Sequence, residues 1–378
     1  MNKKVLLTDG ELTNTLAAVR CLGKHRDITV YVTSQTKYPL SSFSKYCKGC
    51  FILPNPLNEV KYVNKLVSLL KKKNFDTLIP IGFHSERTII KNKKKIEKFV
   101  LIPTVNYKSF EIASRKDKTV EFAKRLGVLV PDTYRISKLN DLNKIKKFPV
   151  VIKATEGWGT TRYAANKKEL RIKFKEVIKN DVYHSSLPII QEYIPGNNGF
   201  GFYALYNKGK LLCYYMHKRI HMYPRSGGAS TMAATYYNAE LYKTGKKILD
   251  KLKWHGVAMV EFKKSDVDNR FYLIEINPKY WGSLDLGIAA GIEIPYYHVM
   301  LSLGEKVKCK KYKRNIIFRW PSRDFLYAIS GKNKIIEIFK WFMLFLNFRI
   351  KDNILLEDFI PTIYQLKDGI KKIKNRVK

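Results

Sequence analysis

Two short β-type runs in this chain carry oxygen donors where a buried strand should be apolar. One is Met259-Val260-Glu261-Phe262, and the other runs from Phe271 to Lys279 through Glu275-Ile276-Asn277-Pro278. Both are rich in β-branched and aromatic residues and read as strands. Glu275 and Asn277 are two apart, so they project from one face of one strand. Glu261 lies fourteen residues before Glu275, and the polar stretch between them, Lys264 to Arg270, reads as the turn of a hairpin. Three hard oxygen donors then converge on one spot. Carboxylates and amide carbonyls are the donors Mg²⁺ prefers, and Mg²⁺ in turn brings phosphates. A lone Glu-x-Asn on a strand is ordinarily a solvated face, so the metal reading requires a nucleotide site elsewhere in the chain.

Candidate pieces of such a site are present. Phe148-Pro149-Val150-Val151-Ile152-Lys153 is a strand ending in a lysine, followed by Ala154-Thr155-Glu156-Gly157-Trp158-Gly159-Thr160-Thr161-Arg162. A lysine at the end of a buried strand places a point charge on a phosphate, and a Gly- and Thr-rich loop offers backbone N–H groups to the same oxygens. Lys118, beside Asp117 at the start of a basic helix, is a second cation that could reach those phosphates. Ile189-Ile190-Gln191-Glu192-Tyr193-Ile194-Pro195-Gly196 is a strand running into a Pro-Gly turn, and its edge could meet an adenine ring. Residues 217–230 read as a loop, combining His217, Lys218, Arg219, His221 and Arg225 with Gly227-Gly228. That composition suits an anionic substrate or a developing oxyanion.

In this order the pieces resemble the ATP-grasp superfamily. The likeness is to its carboxylate–amine ligase branch, similar to the ATP-binding domain of the carbamoyl-phosphate synthase large chain. It rests on Glu261 with Glu275-Ile276-Asn277-Pro278-Lys279, on Phe148 to Lys153 and on Gln191 to Gly196, and it covers about residues 110–305. The resemblance implies contacts of Lys118 and Lys153 with ATP phosphates and a phosphate flap of Gly157 and Gly159. It implies adenine contacts by Gln191, Glu192 and Ile194. It assigns Glu261, Glu275 and Asn277 to Mg²⁺ (which Mn²⁺ can replace), and Arg219 and Lys279 to the transferring phosphoryl group or the substrate carboxylate. Three positions depart from the pattern: Thr160 and Arg162 stand where glycines are usual, Ala154 where proline is common, and Lys279 where the family has arginine. A lysine cannot grip an anion bidentately.

The elements around these residues divide the chain in three. Up to about residue 108, strand and helix alternate, with strands at 5–8, 28–32 and 76–80 and helices at 12–22 and 60–70. That rhythm predicts a parallel α/β domain, matching the Rossmann-like domain that precedes ATP-grasp folds. Residues 109–305 read as α+β, the ATP-grasp portion, with helices at 117–126, 138–147, 167–179, 239–253 and 284–301. Residues 306–378 form a basic, partly amphipathic extension with 19 Lys/Arg against 6 Asp/Glu. Its apolar stretch Ile335 to Ile350 has two readings: a helix packed on the main domain, or one lying on a membrane surface between flanking lysines.

At 378 residues with 45% hydrophobic content, the chain is globular and long enough for two or three cores. Its net charge of +39 invites a nucleic-acid reading, but 55 of its 71 cations are Lys and only 16 Arg, spread along the whole length. Base and phosphate readout favours Arg forks, which argues against nucleic acid. Five scattered cysteines suit a reducing compartment, and Cys47-Lys48-Gly49-Cys50 reads as structural thiols, lacking a second pair to complete a zinc site. Met1-Asn2-Lys3-Lys4 leads straight into a strand, so the expectation is a cytoplasmic protein, with peripheral membrane contact through the extension as the variant.

The leading expectation is therefore an ATP- and Mg²⁺-dependent enzyme that activates a substrate carboxylate as an acyl phosphate and joins it to an amine. Two alternatives stand beside it: a basic nucleic-acid- or membrane-surface-binding protein with a degenerate nucleotide fold, and a carboxylase acting through carboxyphosphate.

Overall fold

Three sheets carry the chain in a computed structural model that describes residues 2–157, 161–196, 199–225 and 227–367. The first holds β1 (Lys3–Leu7), β2 (Ile28–Ser34), β3 (Cys47–Ile52) and β4 (Thr77–Ile79), all parallel, in the order β3-β2-β1-β4. Helices α1 (Thr13–Leu22), α2 (Glu59–Lys72), α3 (Phe83–Lys91) and α4 (Lys93–Ile96) connect and follow these strands. In α2, Tyr62, Val63, Leu66, Val67 and Leu70 repeat at helical spacing and are buried, while Asn58 caps the helix by accepting from the Lys61 N–H. This is the parallel α/β architecture expected of the first hundred residues.

Helices α5 (Tyr107–Ser114) and α6 (Lys116–Arg125) then lead to a small antiparallel sheet. It is built from β5 (Thr133–Tyr134), β6 (Val150–Lys153), β7 (Thr161–Ala164) and β8 (Ile189–Glu192), in the order β5-β8-β6-β7. Helix α7 (Lys167–Lys179) covers it, and Leu170, Phe174 and Val177 join Val150, Ile152 and Ile190 in a core of their own.

The third sheet has seven strands in the order β13-β12-β9-β10-β11-β14-β15. They are β9 (Gly199–Asn207), β10 (Lys210–Tyr223), β11 (Ala229–Thr235), β12 (Gly256–Lys264), β13 (Phe271–Asn277), β14 (Ile317–Arg319) and β15 (Ile350–Asp352). Its helices are α8 (Ala239–Lys251), α9 (Leu284–Ala289), α10 (Ile294–Ser302), α11 (Pro321–Ile329) and α12 (Lys334–Met343). Alternation sorts its residues onto two faces. Tyr203, Leu205, Val257 and Met259 share a core with Val5, Val30 and Val299, which binds the large sheet to the first one. Phe202, Ala204, Met216 and Val260 pack instead with Phe110, Val120 and Ile248.

Several elements differ from the sequence reading. The helix expected at 284–301 is two helices, because Gly291 takes a left-handed φ of 90° and Pro295 restarts the chain in the first turn of α10. Residues 138–147 form only a 3₁₀ turn, Leu139–Lys144. The expected loop at 217–230 is mostly hairpin: β10 continues to Tyr223 and β11 begins at Ala229. The extension is helical in α11 and α12, yet it also lends β14 and β15 to the large sheet. It is tied back to the first domain as well, since Arg20 on α1 pairs with Asp358 at 2.8 Å, both buried, and Ser44 donates to the same carboxylate. Helix α12 is not a packed cover, for none of its residues is buried.

Cys47 and Cys50 lie on the strand β3, where burial pushes both thiols up to about 11. They stay protonated at neutral pH, in keeping with structural rather than reactive thiols. Among the described residues, no helix is long and apolar enough to cross a membrane.

Candidate active site

Along β12, Val257, Met259 and Glu261 alternate onto the face that abuts the first domain. The antiparallel partner β13 sets Glu275 directly opposite Glu261, and Asn277 opposite Met259. The hairpin thus brings both carboxylates and the amide to one rim of the shared core. Asn277 donates through Nδ2 to Glu275 Oε1 at 2.7 Å, which leaves its amide oxygen for another partner.

Cations surround this pair. Lys116, the first residue of α6, holds its Nζ 4.0 Å from Glu275 Oε2 and donates to the Gly157 carbonyl at 2.8 Å. Lys153 ends β6, and burial lowers it to about 8 despite the pull of Glu275 and Glu261. Arg219 reaches Glu261 Oε1 at 2.7 Å and donates to the Gly228 carbonyl at 3.1 Å. Its Nε is buried without a partner among the described residues. Arg219 sits on β10 and Glu261 on β12, with β9 between them. The guanidinium can cross because Gly199 lies under it, where a Cβ would stand 2.9 Å from Arg219 Cδ, whereas Gly201, paired with Glu261, makes room for the Tyr203 ring.

The carboxylates titrate as a unit. Burial pushes Glu261 up, and Glu275 opposite adds to this while Arg219 opposes it. Burial acts on Glu275 in the same sense, but Lys116, the Asn277 amide, Lys153 and Lys279 together outweigh it and hold that carboxyl below its ordinary value.

A narrow cleft of about 10 Å³ opens between the α5–α6 junction and β13, lined by Phe83, Ser114, Lys116, Gly157, Glu275 and Asn277 among others. The loop after β6 is strapped to this junction. Lys116 N–H donates to the Thr155 carbonyl at 2.8 Å, Gly157 N–H donates to the Ser114 carbonyl at 3.2 Å, and Arg87 on α3 grips Glu156 at 2.6 Å. Gly157 has φ 76°, and a Cβ there would meet the rings of Phe83 and Tyr183 at 2.9 Å, so the strap needs glycine. Gly159, expected in the same flap, lies outside the described residues.

The expected adenine contacts sit at the far end of the small sheet. Lys153 pairs with Ile189, whereas Val150 pairs with Glu192. Three residues at 3.3 Å separate the two ends, about 10 Å, a fitting span from phosphate to base. Gln191 donates its amide to Thr133 Oγ1 at 2.9 Å and keeps a buried Oε1 without a partner among the described residues. Glu192 accepts from the Asp132 N–H at 3.0 Å, and Ile194 is buried.

Lys118 is not part of the cluster. Its Nζ pairs with Glu111 at 2.8 Å, and Lys116 stands where a phosphate cation was expected. The two lysines are two residues apart on one helix, so they face different ways. Lys279 follows β13, and burial lowers its amine against the pull of Glu275, Glu86, Glu261 and Asp9. Glu86, on α3, is buried with Oε2 unpartnered among the described residues, and burial lifts its carboxyl well above the ordinary value. Asp9 accepts from Ser85, Thr8 and the Gly82 N–H. These residues of the first domain were not singled out from sequence. Nor were Gly199 and Gly201, although a Gly-x-Gly inside a strand signals a close approach.

The donor set fits Mg²⁺: two carboxylates on directly opposed residues of the hairpin, whose mutual repulsion a divalent cation would relieve, and an amide oxygen beside them. Among the described residues, no group of three or more His, Cys, Asp or Glu side chains is placed to hold a metal, so a site here depends on the Asn277 amide.

A small antiparallel sheet and a larger one, with converging carboxylates on the hairpin β12–β13 and a lysine ending β6, give the chain an ATP-grasp-like fold. Residues 209–322 match the family profile described as ATP-grasp in the biosynthetic pathway with Ter operon. The chain is similar to a curated D-aspartate ligase of Enterococcus faecium, 21% identical over 250 residues, 60% of this chain and 59% of the relative. It therefore spans about three-fifths of that relative's length. Among solved structures it resembles an L-amino acid ligase from Bacillus licheniformis, with TM-score 0.65, 16% identity, and coverage of 80% of this chain and 74% of that one. It also resembles a biotin carboxylase from Campylobacter jejuni, solved as a β,γ-ATP complex, with TM-score 0.68, 16% identity, and 84% and 74% coverage.

Proposed function

We propose that this protein is an ATP-dependent carboxylate–amine ligase. The observation that carries the reading is the directly opposed pair Glu261–Glu275 with Asn277 beside it, ringed by Lys116, Lys153 and Arg219. Ligases among its relatives support it.

An oxygen of the substrate carboxylate forms a bond to the γ-phosphorus of ATP while the bond to the β,γ-bridging oxygen breaks, giving an acyl phosphate and ADP. The amine nitrogen then bonds to the acyl carbon, loses a proton, and inorganic phosphate leaves. Phosphoryl transfer of this kind needs positioning and charge neutralisation more than covalent help. Lys116 and Lys153 face the phosphates from two sides, and the Gly157 strap holds the loop over them. Arg219 is aimed by Glu261 at the transferring group. Gln191, Glu192 and Ile194 border the base. Glu261, Glu275 and Asn277 would hold Mg²⁺, which when bound neutralises phosphate charge. Lys279 meets the substrate carboxylate, and Glu86 and Asp9 of the first domain offer carboxyl oxygens that can accept from the amine.

The test is ADP release by purified protein supplied with Mg-ATP and a panel of carboxylates and amines, amino acids first. Amine-dependent ADP and phosphate release that Glu275→Ala abolishes supports the reading. Undiminished turnover in Glu275→Ala would sink the metal assignment, and no turnover with any pair would sink the ligase.

A further inference from the structure

Helix α12 is built inside out. A helix on the surface of a globular protein turns its apolar stripe to the core. Here Ile335, Phe339 and Phe342 fall at positions i, i+4 and i+7, and Leu346 continues their line in the next turn. Their exposures are 86%, 63%, 58% and 66%. The opposite side faces the protein. Glu337 approaches Arg225 at 3.6 Å, Trp341 donates to the Pro321 carbonyl at 3.2 Å, and its ring meets Phe325 edge-on at 5.2 Å. The helix is thus anchored through its polar and aromatic side while its apolar side is bare. Phe348, just beyond, is 90% exposed.

The rim of this face is cationic. Lys332, Lys334, Lys340, Arg349 and Lys351 are all exposed around it. Beside it lies a cleft of about 310 Å³, lined by Arg319, Phe345, Phe348 and Lys351, with Asp352 on one wall. Arg319 is buried there and its Nε has no partner among the described residues.

We propose that the outer face of α12 docks on an anionic lipid bilayer surface. Exposed apolar patches of this kind mark interaction sites. An apolar stripe in a rim of lysines has the pattern of a helix lying in the interfacial plane, apolar side down among acyl chains and cations among anionic headgroups. The charge chooses among occupants. A second copy would bring the same cationic rim against this one. The chain's own residues 368–378 carry five cations against one anion and are likewise repelled. An anionic membrane complements both the stripe and the rim.

The experiment is co-sedimentation of the full chain with phosphatidylglycerol-containing vesicles and with pure phosphatidylcholine vesicles. The wild type pellets with the anionic vesicles and less at high salt. Phe339→Asp/Phe342→Asp and, separately, Lys332→Glu/Lys334→Glu each weaken partitioning by about tenfold or more, the first through the stripe and the second through the rim. Circular dichroism and ADP release, unchanged in both variants, confirm that they fold. Equal pelleting with both vesicle types, or undiminished pelleting of the variants, overturns the proposal. So does a dimer in solution that fails to bind vesicles and that Phe339→Asp/Phe342→Asp dissociates.

Discussion

Arg219 reaches Glu261 across an intervening strand, at 2.7 Å, because that strand carries glycine, Gly199, directly beneath the arginine. The arginine is thereby held over the carboxylates without a side chain beneath it. Gly199→Ala pushes on the flexible end of Arg219 rather than on backbone. It should change unfolding free energy by less than ~1 kcal/mol, because the side-chain end it meets can give. Turnover should fall by about tenfold, and Arg219→Ala should cost on the order of 10²–10³, as for other lost transition-state donors. Denaturant titration and steady-state kinetics of both variants check this.

Lys116 and Lys118 give a clean contrast. Lys116→Ala removes the cation beside Glu275 and the bond to the Gly157 carbonyl, so ADP formation should fall by roughly 10². Lys118→Ala removes only a half-exposed pair with Glu111 and should stay within about twofold of wild type. Equal losses in both would overturn the placement of the phosphate cation.

The pH dependence follows from Lys153. Burial lowers it to about 8 from the ordinary lysine value of 10.5, and its cation is the form that meets phosphate. kcat/KM for ATP should therefore fall as pH rises through about 8, and Lys153→Arg should move that limb to higher pH. Stability runs the other way. Between about 8 and 10.5 the unfolded chain binds the extra proton, so unfolding free energy contributed by this group rises with pH across that window. A pH–rate profile and urea titrations at pH 8 and 10 separate the two effects.

Asp358→Ala leaves Arg20 buried without its carboxylate. Breaking such a pair from one side should cost about 3–5 kcal/mol. The Asp358 site lies on the tail, so kcat per folded molecule should hold while the urea midpoint drops. A variant of wild-type stability would remove the tail from the account of the fold.

The carboxylate hairpin and the lysine of β6 were legible in the sequence because strand periodicity alone decides which residues share a face. Glu261, Glu275 and Asn277 needed only the two-residue repeat and one turn. Lys116 was hidden because the Arg115-Lys116-Asp117-Lys118 run offers two lysines, and the choice depends on where α6 starts, a boundary of one residue. Glu86, Asp9 and Arg87 approach the site from another domain, a juxtaposition that no local pattern encodes. β14 and β15 are three residues each, too short to show a period, and they pair only because the large sheet offers its edge. The inverted face of α12 was visible as amphipathic pattern, but which side turns outward is decided by Trp341 and Glu337 finding partners on α11 and β10's hairpin.

The bond between Arg20 and Asp358 joins residues 338 apart in the chain. On a ribosome, the first sheet can pair its strands early, yet Arg20 has to wait for its carboxylate until the extension has been made. At about 5–20 residues per second that interval is roughly 17–70 s. For that time α1 carries an exposed, hydrated guanidinium where the finished protein has a sealed one. A product cut short before residue 358 never seals it, and so presents to proteases a first domain whose α1 carries an unpaired Arg20. The stitch thus forms only once synthesis has passed residue 358.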